Sequence, residues 1–272
     1  MKFEESSYWR QRVTVDADLG VVGHRSLGRG YNEYIYLRRA ECLVQALRLL
    51  DINPSQCNVL DLGCGSGYYA AFWKELGVTE LTAIDLSDAN FHLLRQKFPE
   101  YTFLQADLTQ AGAIERIDGT YSIVTLFDVV YHIVDDSAAL NALKTAAGAL
   151  KPNGVLLMFD QLAARDYSLL PHIKFRGKMS YIGLLEAAGL EIVNRQPLFV
   201  LLAPPVYGIK AIDVVVSGLY KIAGAFIKNR ESAGRWLGKA VYGLDRLLIK
   251  KGIRFPNHEL IILRKRASGE AA

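Results

Sequence analysis

Four acidic residues, Asp61, Asp85, Asp107 and Asp128, each stand at or near the end of a short apolar run. The first lies in Asn58-Val-Leu-Asp-Leu-Gly-Cys-Gly-Ser-Gly-Tyr68, where an apolar run breaks into a turn with glycines at 63, 65 and 67 and then opens a helix. Such a turn brings bare backbone close to a ligand at the carboxyl end of a parallel strand. Asp61 is read as part of that turn. A carboxylate there suits a cationic or hydroxyl-rich ligand better than a pyrophosphate. Asp85 ends Leu81-Thr-Ala-Ile-Asp85; its carboxylate can accept both hydroxyls of a ribose or cap the following helix. Asp107, within Ala106-Asp107-Leu108, can accept a proton from an exocyclic amine or serve a turn. Phe127-Asp128-Val-Val-Tyr131-His132 completes the series at the expected rim of a cleft.

Positioning these residues requires alternating strands and helices. Strands are expected at Asn58–Leu62, Glu80–Asp85, Tyr101–Gln105, Tyr121–Phe127 and Gly154–Gln161. Helices are expected at Tyr68–Leu76, Ser87–Lys97, Gln110–Glu115 and Ser137–Leu150. Lys151-Pro-Asn-Gly154 marks the point where a helix stops and a buried strand begins. The rhythm predicts an α/β fold of parallel βαβ units with right-handed crossovers. A helix over Asn32–Leu50 precedes it, ended by Asn53-Pro54. A helix over Lys178–Ala188 and a strand over Glu191–Leu202 follow, and Pro204-Pro205 breaks the pattern. Tyr207–Lys228 reads as amphipathic, with Ile209, Ile212, Val216, Leu219, Ala223 and Phe226 at spacings of three and four. A second helix over Glu231–Lys250 and an apolar strand over Glu259–Leu263 close the chain.

The 272 residues are 51% hydrophobic, enough to build a sizeable core. The N-terminus lacks the apolar stretch of a signal peptide. No run of about 18 uncharged apolar residues suggests a membrane span. Three cysteines without metal-ligand spacing suggest a reducing compartment, no disulfide framework and no bound metal, so a cytoplasmic location is expected. The net charge of +4 is unevenly spread. Residues 58–150 carry 5 Lys/Arg against 12 Asp/Glu, a balance of −7, and residues 203–272 carry 13 against 5, a balance of +8. Solvated helix faces account for this, as does attraction to an anionic substrate or membrane surface.

Read together, the four sites resemble the class I S-adenosylmethionine-dependent methyltransferases, over residues 55–202 and the final strand. The glycine turn alone would also serve an NAD-type fold; the order and spacing of all four sites carry the likeness. The resemblance implies a doubly wound, mostly parallel, seven-stranded sheet, with 1–54 as an N-terminal helical lid and 55–202 plus 258–267 as the core. The expected cofactor is S-adenosyl-L-methionine, with S-adenosyl-L-homocysteine as product. Asp61, Gly63, Cys64, Gly65, Gly67 and Tyr68 would lie near its methionine part. Asp85 would hold the ribose and Asp107 would read the adenine amine, with Leu86, Ala106, Leu108 and Phe127 also lining the cofactor site. Cys64 is expected to pack as a small residue.

Methyl transfer from a sulfonium is an in-line displacement, so the protein mainly aligns the acceptor and excludes water. His132 is the expected proton acceptor, with packing beside the cofactor as its other reading. Asp128 would orient the acceptor or belong to the cofactor pocket. Acceptor contacts are expected from Tyr8, His24, Tyr31 and Arg38 before the core, from Tyr131 and Asp160 at strand ends, and from Lys174 and Arg176 after the fifth strand. The departure from the family's minimal pattern is the 203–257 insertion, read as a lid, a dimer interface or a membrane-contacting segment. The expected reaction is methylation, oxygen favoured over nitrogen or carbon, of a small and partly hydrophobic acceptor. Asp128-Val-Val-Tyr131 lacks the prolines of a base-flipping amino-methyltransferase, so nucleic acid is disfavoured. Two alternatives stay open: a methyltransferase of RNA or another macromolecule, bound through the basic C-terminal part, and a cofactor-binding protein without transfer chemistry.

Overall fold

In the computed structural model, the residues described are 24, 26–255 and 257–266. A long helix α1 (Gly28–Leu49) leads into β1 (Asn58–Leu62), α2 (Tyr68–Glu75), β2 (Glu80–Asp85), α3 (Phe91–Lys97), β3 (Thr102–Gln105) and β4 (Tyr121–Phe127). Then follow α4 (Asp136–Ala149), β5 (Leu150–Asp160), a small hairpin of β6 (Tyr167–Leu170) and β7 (Ile173–Phe175), α5 (Lys178–Ala187) and β8 (Leu190–Pro197). The helices α6 (Lys210–Ile227) and α7 (Glu231–Lys250) separate β8 from the last strand, β9 (Glu259–Lys265).

Seven strands form one sheet in the order β3-β2-β1-β4-β5-β9-β8. β1 to β5 run parallel, and β9 runs antiparallel to both of its neighbours. This is the doubly wound, mostly parallel sheet expected from the sequence. Alternate residues of each strand feed two cores: Val59, Ile123, Leu157 and Ile262 pack with Leu43 of α1 and Trp73 of α2 on one face. Leu60, Val124, Leu156 and Ile261 pack with Leu143 of α4 and Tyr181 of α5 on the other. The strand order reverses between β1 and β4, which places a crevice at the carboxyl ends of these strands.

Four boundaries differ from the sequence reading, each for a local reason. α3 starts at Phe91 rather than Ser87, because the Ser87 amide donates to Asp85 and the Ala89 amide to the Ser87 hydroxyl. β5 starts at Leu150, and the expected turn survives inside it as a bulge: Tyr121 pairs with Leu150, but Ile123 pairs with Val155. A side chain at Gly154 would meet the Tyr121 carbonyl at 2.8 Å. The expected helix over Gln110–Glu115 is a short 3-10 turn, Ala113–Arg116. β8 stops at Pro197, since the amides of Val200, Leu201 and Leu202 all donate to Asp245 Oδ1 of α7 instead of joining a ladder.

The excursion between β8 and β9 leaves and returns at one place, where Asn257 Nδ2 donates to the Ala203 carbonyl at 2.8 Å. Between these points α7 lies along α1. Glycines permit the close approach: a Cβ on Gly30 would meet the Glu231 carbonyl at 2.3 Å, and one on Gly224 would meet the Ser26 carbonyl at 2.0 Å. Helix α1 therefore packs on the sheet with one side and carries α7 on another.

Candidate active site

The turn after β1 is fastened to β2 by its own backbone. The amides of Gly63 and Cys64 both donate to the Ile84 carbonyl, at 2.7 and 3.0 Å. Gly63, Gly65 and Gly67 have φ of 87°, 52° and 78°, a region that disfavours any side chain with a Cβ. At Gly63 a Cβ would strike Val129, and at Gly67 it would strike Leu94, each at 2.3 Å; at Gly65 it would meet nothing within 4 Å. Two glycines are thus required by packing, and the third faces open space at the strand ends. The Gly65 amide donates to Asp85 Oδ2 at 2.8 Å and the Ser87 amide to Oδ1 at 2.9 Å. Each carboxylate oxygen keeps a further lone pair for another donor. Burial pushes Asp85 above the ordinary carboxylate range, against the pull of these amides.

Asp61 belongs to β1 itself, two residues before the turn into which the sequence reading placed it. It is fully buried. Oδ1 accepts from the Thr125 hydroxyl at 2.6 Å, and Oδ2 has no partner. Burial raises its pKa to about 6, the Thr125 hydrogen bond opposing. Asp107 is more exposed. Burial raises its pKa, but donors from Thr109 and Gln110 prevail and hold it below the ordinary value.

At the end of β4, Asp128 has a left-handed backbone, φ 60°, and forms an ion pair with Arg39 of α1. The Arg39 guanidinium is enclosed by the rings of Tyr36, Phe159 and Phe199, at 5.2, 5.5 and 5.9 Å from their centroids. Burial disfavours its charge, but Asp128 and the surrounding tyrosines keep its pKa well above the ordinary value. The aromatic wall continues through Tyr69, Phe127 and Phe159, with Phe127 stacked on Phe159 at 4.4 Å. Among the described residues, three buried polar atoms of this cluster find no hydrogen-bond partner: Arg39 Nε, Tyr69 Oη and Asp128 Oδ1. His258, just before β9, lies edge-on to Tyr131 at 5.5 Å. Desolvation pushes its pKa down to about 4, despite the field of Asp128.

Arg39 and His258 escaped the sequence reading. Arg39 is 89 residues from its partner, and His258 follows the insertion. One signal existed for Arg39: it interrupts the apolar helical stripe Ile35, Arg39, Leu43, Leu47.

The other expected residues divide between cleft and scaffold. Tyr68 stacks near Tyr36 at 4.4 Å, and Phe127 joins the aromatic wall. Leu86, Ala106 and Leu108 line the ends of β2 and β3; Leu86 accepts from Gln105, and the Ala106 amide donates to Asp85. Cys64 is buried, with its thiol pushed well above the ordinary value by desolvation. His132 lies in a short 3-10 turn after β4, with Nδ1 at 3.3 Å from the His172 carbonyl and its ring 4.3 Å from that of Tyr131. Arg176 is fully buried and spends its donors on Asp136 and on the carbonyls of Val130, Ile133 and Asp135. It fastens the loop that carries His132 rather than facing an acceptor, and Lys174 likewise pairs with Asp136. Asp160 is buried, accepting from the Tyr181 hydroxyl and the Gln161 amide, both at 2.6 Å. Tyr31 is buried where α1 meets α7 beside Gly238. His24 sits beside Tyr220 at 6.5 Å, and Arg38 donates to the carbonyls of Pro197 and Leu198. Arg176, Lys174, Asp160, Tyr31, His24 and Arg38 are thus taken up by the scaffold in this geometry. Tyr8 falls outside the described residues.

The family profile of a methyltransferase domain matches residues 34–195, more than half of the chain. The chain belongs to that methyltransferase family, and its sheet is the Rossmann-like methyltransferase fold. Two curated relatives show how far the likeness extends. It is 27% identical over 124 residues to an mRNA cap guanine-N(7) methyltransferase of Caenorhabditis elegans, covering 40% of this chain and 33% of that one. It is 34% identical over 119 residues to a malonyl-[acyl-carrier protein] O-methyltransferase of Serratia marcescens, covering 43% and 44%. The chain thus spans less than half the length of these two relatives. Among solved structures, the O-methyltransferase of a Brevibacillus brevis polyketide-synthase multienzyme, in complex with S-adenosyl-L-homocysteine, superposes with a TM-score of 0.53. It has 15% identity and covers 86% of this chain and 75% of that one.

Proposed function

We propose that this chain is an S-adenosylmethionine-dependent methyltransferase that methylates a hydroxyl of a small, partly apolar acceptor. The crevice fits the cofactor on three grounds: Gly65 opens onto unfilled space, Asp61 Oδ2 is buried without a partner, and Asp85 keeps lone pairs for two hydroxyls. When bound, the cofactor supplies a methyl group already activated by its sulfonium. Asp85 holds the ribose hydroxyls, Asp107 accepts from the adenine amine, and the carboxylate of Asp61 favours the cationic methionine part. The ring wall of Tyr69, Phe127 and Phe159 excludes water from the reacting groups.

The observation that carries the choice of oxygen is the Arg39–Asp128 pair with its unpartnered atoms. A hydroxyl can donate to Asp128 Oδ1 while accepting from Arg39 Nε or Tyr69 Oη. An amine reacts only as the neutral base, and the Asp128 carboxylate beside it would favour its protonated, unreactive form. Asp128 raises the electron density of the acceptor oxygen by taking its hydrogen bond, and Arg39 holds that carboxylate in place. Desolvation holds His258 neutral and disfavours its taking a proton, so it serves as a wall beside Tyr131; His132, held by the His172 carbonyl, is the candidate for the released proton. Relatives acting on nitrogen and on oxygen are both found, so the likeness does not choose between them.

Titration calorimetry tests the cofactor reading. Wild-type protein is expected to bind S-adenosylmethionine, and Asp85→Ala to bind it at least about 10-fold more weakly, as expected for lost charge-assisted hydrogen bonds. No binding by the wild type would overturn the reading. Methyl release onto a panel of phenols, alkyl alcohols and matching amines tests the acceptor; transfer to amines alone would overturn the choice of oxygen.

A further inference from the structure

The hairpin of α6 and α7 presents an apolar face that nothing in the described structure covers. On α6, Ile212, Val215, Leu219, Ile222 and Phe226 recur at spacings of three and four, and all five are exposed. The buried residues of this helix, Asp213, Gly224 and Ile227, lie on a different side. On α7, Trp236, Leu244 and Leu247 are exposed, whereas Gly234, Gly238 and Asp245 turn toward α1. Phe226 is 66% exposed and Trp236 73%. Apolar stripes this large on a surface mark an interaction site.

The charge on the same hairpin identifies what covers it. Residues 210–254 hold ten Lys/Arg and three Asp/Glu. Two of the three acids are turned inward: Asp213 accepts from the Tyr207 amide at 2.6 Å, and Asp245 from the amides of residues 200–202. Glu231 is the one exposed acid among them, and it pairs with Arg235. The solvent-facing surface is therefore apolar and cationic. On α7, helical spacing sets Lys239 and Lys250 beside the stripe of Trp236, Leu244 and Leu247, where long cationic side chains reach a headgroup layer. A second copy of the chain meeting the same face would set cations against cations. An anionic surface would complement it. No described helix is long and apolar enough to cross a membrane, so the hairpin would lie on the bilayer and not span it.

We infer that the α6–α7 hairpin is a docking surface for an anionic lipid bilayer. The chain binds in the interface plane with the stripes of α6 and α7 among the acyl–headgroup boundary and the flanking lysines on anionic headgroups. This rests on the hairpin alone, and its test reads binding without cofactor or acceptor.

Co-sedimentation of the full chain with vesicles of phosphatidylcholine alone and of phosphatidylcholine with phosphatidylglycerol is the experiment. Strong binding to the anionic vesicles, weakened by high salt, is expected. Each lysine near the surface contributes about fivefold in affinity, so Lys239→Gln with Lys250→Gln is expected to reduce binding by about 25-fold. Leu219→Gln with Phe226→Gln is expected to reduce it at least about 10-fold; both pairs are exposed, and circular dichroism checks their folding. In the wild type, brominated lipid is expected to quench Trp236 emission, read against a Trp236→Phe control. Equal binding to both vesicle types, insensitivity to both double variants, or a stable dimer that shields Trp236 and ignores vesicles would each overturn the inference.

Discussion

Asp128 combines two costs at one position: a left-handed backbone and a partly buried charge paired with a buried guanidinium. Asp and Asn tolerate that backbone better than other residues with a side chain. Asp128→Ala should thus lose stability twice, through backbone strain and by leaving Arg39 buried without its counter-ion, in total about 4 kcal/mol. Asp128→Asn keeps the backbone preference and should cost less. Arg39→Met combined with Asp128→Asn should cost less than the sum of the single changes, because neither charge is then left alone. Urea denaturation of the four proteins measures the coupling; additive effects would show that the two side chains act independently. Asp61, Asp85, Asp107 and Asp128 were visible in the sequence because each lies within two residues of the end of a strand with a recognisable apolar pattern. Arg39 was not, because pairing across the chain leaves no spacing to read. Arg176 was expected to contact the acceptor because it follows the fifth strand, and nothing local reveals the three carbonyls that gather around it.

At the scale of elements, α1 links the site to the hairpin. It sends Tyr36 and Arg39 toward the crevice and receives α7 through Gly30, Gly234 and Gly238. Gly30→Ala would place a Cβ against the Glu231 carbonyl and the Arg235 amide, at 2.3 and 2.9 Å. The helices must separate, at a cost of about 2 kcal/mol. The expected result is a lowered melting temperature together with a weaker rate of transfer, since α1 also holds Arg39. Gly243→Ala, where an added Cβ meets nothing, is the control and should be neutral or slightly stabilising. The parallel strands were legible because each is a buried run bounded by turn residues, and their order along the chain was right. The β6–β7 hairpin was missed since its strands are only four and three residues long, too short to show an alternating pattern. The end of β8 was overestimated since Asp245, some 45 residues on, takes the amides that would have continued the ladder.

At the scale of the whole molecule, buried titrating groups pull the stability in opposite directions with pH. Burial pushes Asp160 up to about 7 and Asp61 up to about 6. Both bind a proton more tightly folded than unfolded, so their contribution is full below the ordinary carboxylate pKa near 4 and is lost as pH rises through about 6 to 7. His258, pushed down to about 4, behaves oppositely: its contribution is present above about 6.5 and lost as pH falls toward 4. Asp160→Asn removes the largest loss on the alkaline side. The variant should match the wild type near pH 4 and exceed it at pH 8 by up to about 4 kcal/mol. Denaturation curves at pH 4, 6 and 8 check this; equal stability at all three would mean that Asp160 stays ionised in the folded chain.

The hydrogen bond from Asn257 to the Ala203 carbonyl gives the molecule an exchangeable part. The chain departs from β8 and rejoins at β9 across a gap that one side chain closes. The sheet therefore registers only where the backbone exits and where it returns. Loop-closure entropy grows slowly with length, so what lies between those two points can be lengthened, shortened or replaced while β9 keeps its register. What is held fixed is the inner face: any replacement must still seat on α1 as α7 does and supply a partner for the amides of residues 200–202, while its outer face is free to vary.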